Sequence, residues 1–198
     1  MHRRALVLTG LATLLAPGAS PARLSSPPRN ARRGPLDFFG TFQGPRPEHQ
    51  YLRRFEGDWD FVAKATLPGG AVREMKGTCH SRLACSGTWL VSEARSEFQG
   101  LPYEAIGLLG YDAPAKKYVA TWIDLAKGFL DPMVGEVNEE DRLVTVGPIV
   151  DPSQPSRRIQ ARGTFLPFGD DSFDYVEELE DGQGGWTPWL RTTYTRAN

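Results

Sequence analysis

Thiol and imidazole are scarce in these 198 residues, with two cysteines and three histidines in all. That scarcity narrows the chemistry. His2 sits in the N-terminal leader, so His49 and His80 remain as bases or metal ligands. Together with Cys79 and Cys85 they would make four zinc donors, but their spacing matches no standard zinc motif, and no metal site is expected. The chain also lacks a Gly-x-Ser-x-Gly elbow, a phosphate-cradling glycine loop and a His-Glu-x-x-His helix. The glycine run at 182–185 has strand-like segments on both sides and no helix after it, so it reads as a hairpin turn rather than a dinucleotide loop. No cofactor is expected.

A long apolar run is missing as well. The stretch at residues 5–16 reaches only about half the ~20 residues that span a bilayer, so no stable transmembrane segment is expected. It follows His2, Arg3 and Arg4 and precedes the small residues Ser20 and Ala22, which is the pattern of a cleaved signal peptide covering residues 1–22. The Arg3-Arg4 pair also fits a twin-arginine signal, and the Arg- and Ser-rich segment fits an organelle transit peptide. With no cysteine after the apolar run, a lipoprotein anchor is excluded. Residues 23–46 are dominated by Pro, Arg, Ser and Gly and read as a disordered tether. The expectation is an exported protein, periplasmic or secreted.

Charge divides along the same boundary. Residues 1–46 hold seven arginines against one acid, and the rest of the chain is net negative, so the whole carries a formal charge of -1. A negative folded part repels a phosphate backbone, and no nucleic-acid partner is expected.

Glycine and proline are abundant, 21 and 16 residues, and they break up long helices. One short helix is expected from Pro47, whose missing N–H is no loss in a first turn, through Glu56, with Leu52 and Phe55 on one face. Gly57 ends it. Alternating blocks then run at 59–67, 72–82, 88–98, 103–111, 118–124, 129–137, 142–149, 157–165, 172–180 and 186–196, separated by turn residues. About ten strands joined by short turns prefer to pair with their sequence neighbours, and a meander of that length hides its edges by closing into a barrel. The expected class is all-β, an antiparallel up-and-down barrel over residues 47–198.

The triplet Gly57-Asp58-Trp59, placed after a short helix and opening the first strand, looks like the Gly-x-Trp signature of lipocalins. A longer series comprises Pro47-Glu48-His49-Gln50, Gly77-Thr78, Trp89-Leu90-Val91 with Glu93, Leu109-Gly110-Tyr111-Asp112, residues 118–124 with Trp122, and Thr193-Tyr194-Thr195-Arg196. In that order it resembles the domain-of-unknown-function family 1579 across residues 47–196. The resemblance implies a lipocalin-like β-barrel and no particular activity. The lipocalin analogy implies that Trp59 closes one barrel end, with Arg196 over its ring at ~1–2 kcal/mol. A haem barrel of the nitrobindin type would need an axial histidine late in the chain, and none follows His80.

Every second strand residue faces inward, so Trp89, Val91, Glu93 and Arg95 share one face, and Tyr118, Ala120, Trp122 and Asp124 another. The alternation alone does not say which face is inner. Trp89, Glu93, Tyr111 and Trp122 are the candidate ligand-binding residues of an exported barrel that holds a small apolar or amphipathic molecule. Two rival readings remain: an enzyme of unknown reaction with His49 or Glu93 as acid or base, and a structural or interaction protein with a filled core. Cys79 and Cys85 could form a disulfide in an oxidising compartment. An extended 79–83 segment at ~3.3 Å per residue would hold them too far apart unless a turn folds back, so the pairing is open.

Overall fold

The computed structural model describes residues 44–197 apart from 68, 99 and 126–129. The expected signal peptide, nearly all of the expected tether and the start of the expected 129–137 strand lie outside the described residues. Pro47 opens α1 (Pro47–Gln50), where the Nδ1 of His49 accepts the backbone N–H of Arg46 at 2.7 Å. A 3₁₀ turn follows directly (Tyr51–Phe55), so the single helix expected through Glu56 is a four-residue α turn that tightens into a 3₁₀ one. Leu52 and Phe55 are buried and each contributes about 1.5–3 kcal/mol of hydrophobic stabilisation.

Ten strands follow: β1 (Gly57–Thr66), β2 (Val72–Ala84), β3 (Trp89–Phe98), β4 (Leu101–Asp112), β5 (Lys117–Asp124), β6 (Met133–Val137), β7 (Leu143–Asp151), β8 (Gln154–Pro167), β9 (Ser172–Glu180) and β10 (Trp186–Arg196). Each pairs antiparallel with its sequence neighbour, and β1 pairs with β10 from Trp59↔Arg196 to Ala65↔Leu190, which closes the barrel. Half the side chains therefore turn to a common interior. β6 begins at Met133, later than the alternation predicts, because Pro132 has no N–H to give to a ladder. The pairing of β5 with β6 covers only Tyr118↔Gly135 to Ala120↔Met133. Beyond Ala120 the wall loosens.

The helical segment caps the barrel end where β1 starts and β10 finishes. Trp59 is 1% exposed, donates its indole N–H to the Phe55 carbonyl at 3.0 Å and meets Phe173 edge-on at 4.9 Å. The Tyr118 hydroxyl donates to the Glu48 carbonyl at 2.8 Å, and the Tyr51 hydroxyl accepts the Leu143 N–H at 3.1 Å, tying the cap to β5 and β7. No described helix is long and apolar enough to cross a membrane.

Candidate functional site: a cavity inside the barrel

Above the plugged end the interior is not filled. A cavity of about 290 Å³ runs along the axis, with Phe61, Leu90, Leu109, Phe165, Phe173 and Tyr194 among its walls. Its size lies at the lower end of the ~300–1,000 Å³ usual for small-molecule sites. Small residues make the room. Ala94 and Ala105 face inward where larger side chains would meet, and the Trp122 ring lies against Gly107 so closely that a β-carbon there would collide with it.

Two aromatic–carboxylate clusters line the upper part. On β4 and β5 the Trp122 indole N–H points to the Tyr103 hydroxyl at 3.3 Å, and that hydroxyl donates to Asp124 Oδ2 at 3.0 Å. Across the barrel, Glu177 accepts the Tyr175 hydroxyl on Oε2 at 2.7 Å and the Trp189 indole N–H on Oε1 at 2.8 Å. Burial raises the Tyr175 phenol well above its ordinary range and the Glu177 charge adds to the effect, so it stays a proton donor. Burial likewise raises Tyr103. Asp131, 4% exposed, pairs through Oδ1 with Arg158. Among the described residues its Oδ2 and the Oγ1 of Thr121 are buried without a hydrogen-bond partner, and both residues line the cavity.

Of the four residues chosen from the sequence as ligand contacts, Trp122 lies on the cavity wall and the other three do not. Trp89 and Glu93 require correction. In β3 the inward set is Leu90, Ser92 and Ala94, opposite Leu83, Ser81 and Cys79 of β2. Trp89 is 37% exposed on the outside, seated over Gly110, where the missing side chain leaves a bed for the indole. Glu93 is also external, 3.9 Å from Arg82. Tyr111 faces the cap instead, edge-on to His49 at 5.8 Å and to Tyr118 at 5.0 Å. His49 is buried in that cap, away from the cavity.

Glu177, Tyr175, Trp189, Tyr103 and Asp131 were not singled out from the sequence. Glu177 had a signal, because it shares its strand face with Phe173 and Tyr175. Trp189 had none, since it is the extra residue at a register shift between Pro188 and Leu190.

The potential zinc donors do not converge. Cys79 points inward with Sγ 3.7 Å from Ser81 Oγ, while His80 points outward to Asp58 at 2.6 Å. Cys85 sits in an exposed 3₁₀ turn, and both thiols are free. Among the described residues no group of three or more His, Cys, Asp or Glu is placed to hold a metal ion. Inside the cavity Ser81 and Ser92 hydroxyls meet at 2.8 Å, with no imidazole beside them to act as a base.

No curated protein matches the chain in sequence. Among solved structures it is similar to Rv2717c from M. tuberculosis, at 13% identity and TM-score 0.54, over 77% of this chain and 99% of that one. It is similar too to the S-type phycobiliprotein lyase CPES from Guillardia theta, at 10% identity and TM-score 0.52, over 78% of this chain and 95% of that one. At such identities the likeness is one of fold. The barrel and the ordered series from Pro47 to Arg196 agree with a match of residues 44–196 to the family described as "Protein of unknown function (DUF1579)", and the chain belongs to that family.

Proposed function

We propose that this protein is an exported binding module whose barrel takes up a small apolar or amphipathic molecule. The observation that carries the reading is the unfilled interior, walled by Phe61, Trp122, Phe165, Phe173 and Tyr194. A protein that needed only a stable core would gain from filling that space, because each missing methylene forfeits dispersion and burial energy. The loose wall beyond Ala120, where β5 and β6 part, supplies a route of entry.

The enzyme reading gains nothing from His49, which is held in the cap, or from Glu93, which is outside. Export rests on the leader at residues 1–22 and is tested by N-terminal sequencing of secreted material, where an intact Met1 overturns it. For binding, the purified protein is incubated with a lipid and metabolite extract and run by native mass spectrometry. A reproducible adduct at one per barrel supports the reading, and a barrel that stays empty overturns it.

A further inference from the structure

The polar half of the cavity holds two buried carboxyl groups whose acceptors the described residues leave incompletely matched. Glu177 is 7% exposed, and both its oxygens accept from neutral donors, the Tyr175 hydroxyl and the Trp189 indole. No cation among the described residues pairs with it. Among the described residues Asp131 has one cation, Arg158, and that is held on Oδ1. The other oxygen of Asp131 is buried with no partner among the described residues. Both acids line the same cavity. A buried acceptor left open is costly, and an uncompensated buried charge is costlier. A ligand that brings a charged donor to this wall relieves both.

We infer that the barrel selects amphiphiles with a protonated nitrogen at the head, placing an ammonium or amidinium group against Asp131 Oδ2, in a cavity that Glu177 also lines, while the apolar part lies among Phe61, Phe165 and Phe173. This rests on the binding reading above and sharpens it. An anionic head, such as the carboxylate of a fatty acid, meets like charge here and is rejected. A neutral alcohol of the same chain length satisfies one acceptor without matching the charge, and stands between the two.

The test uses three probes on the full-length protein, decylammonium, decanol and decanoate, each kept below its micelle concentration and measured by isothermal titration calorimetry. The expected order is decylammonium tightest, by about tenfold over decanol as for a charge-assisted hydrogen bond, with decanoate weakest. In Asp131→Asn and Glu177→Gln the ratio of decylammonium to decanol affinity falls toward unity, and a near-UV circular dichroism spectrum matching that of the native protein shows that each variant still folds. If decanol or decanoate binds the native protein as tightly as decylammonium, the inference is overturned and the binding module stands. If none of the three binds, the binding reading itself fails and the inference falls with it.

Discussion

The guanidinium carbon of Arg196 lies 4.2 Å from the centroid of the Trp59 ring, on the pair of strands that closes the barrel. Three donor contacts hold it there: Nε and Nη2 to the Asp170 carbonyl at 3.0 and 2.8 Å, and Nη1 to the Glu56 carbonyl at 3.3 Å. Gly57 lies against the same group. Its φ is +134°, and a β-carbon at that position would overlap the guanidinium. The glycine, the tryptophan and the terminal arginine therefore form one unit, with the glycine two positions before the tryptophan so that the cation can reach the ring.

Removing any part of that unit weakens the closure of the barrel. Arg196→Ala loses the cation–π contact and strands two carbonyls, at a cost of about 2 kcal/mol. Gly57→Ala meets a left-handed backbone angle and a collision together, at about 1–3 kcal/mol. Arg196→Lys keeps the charge but not the planar fork, and falls between native and Ala. Urea titration followed by Trp fluorescence measures all three. Equal midpoints for Arg196→Ala and the native chain would show that the contact contributes nothing.

Ten strands and their antiparallel order could be read from the alternation and the turn residues, because a period of two survives any uncertainty about which face is which. The facing itself could not. In β3, Trp89-Val91-Glu93 and Leu90-Ser92-Ala94 are both plausible inner sets by composition. The small set is the inner one because the cavity needs room, a property of the whole ring that no single strand displays. Trp122 was legible through its apolar face, and Glu177 had the same signal in Phe173 and Tyr175. Trp189 was hidden by a bulge, and Asp131 by an expected strand at 129–137 that in fact begins only at Met133.

The two thiols differ in reach, and that difference can be titrated. Cys85 is exposed, whereas Cys79 is buried in the barrel wall and burial pushes its thiol above the ordinary range, so it is a poor nucleophile while the barrel is closed. Ellman's reagent at neutral pH is expected to count one thiol rapidly in the native protein and two after denaturation, with no reductant added. Two fast native thiols would mean that the wall between β1 and β3 opens readily. None after denaturation would mean a disulfide.

Alkaline pH separates the folded and unfolded states through buried phenols. Burial, then the Glu48 charge, pushes Tyr118 from 10.0 up to about 12. The unfolded chain releases this proton near pH 10 and the folded one holds it to about 12, so the unfolded state binds fewer protons in that window. Stability is then present below pH 10 and falls as pH rises toward 12. Tyr194 and Tyr103 are shifted in the same direction by burial. Urea midpoints at pH 8 to 12 should decline across that range, and Tyr118→Phe should decline less steeply. Its unfolding free energy at pH 8 should be lower by about 1 kcal/mol for the lost bond to Glu48. Parallel slopes for the two proteins would exclude Tyr118 as a contributor.

Filling the cavity should trade binding for stability. Ala63 lines the space from β1 and is 8% exposed, so a larger side chain there projects into the void rather than into solvent. In a tightly packed core Ala→Leu would cost about 1–3 kcal/mol through strain. In a cavity of about 290 Å³ the added methylenes find contacts instead, at about 0.8 kcal/mol for each one buried. Ala63→Leu is therefore expected to hold or raise the urea midpoint while weakening decanol binding by about tenfold or more, because the same volume cannot be used twice. A variant that is stabilised yet binds decanol as before would place the ligand elsewhere than the barrel interior. A destabilised variant that no longer binds would show that the interior has less free space than its walls enclose.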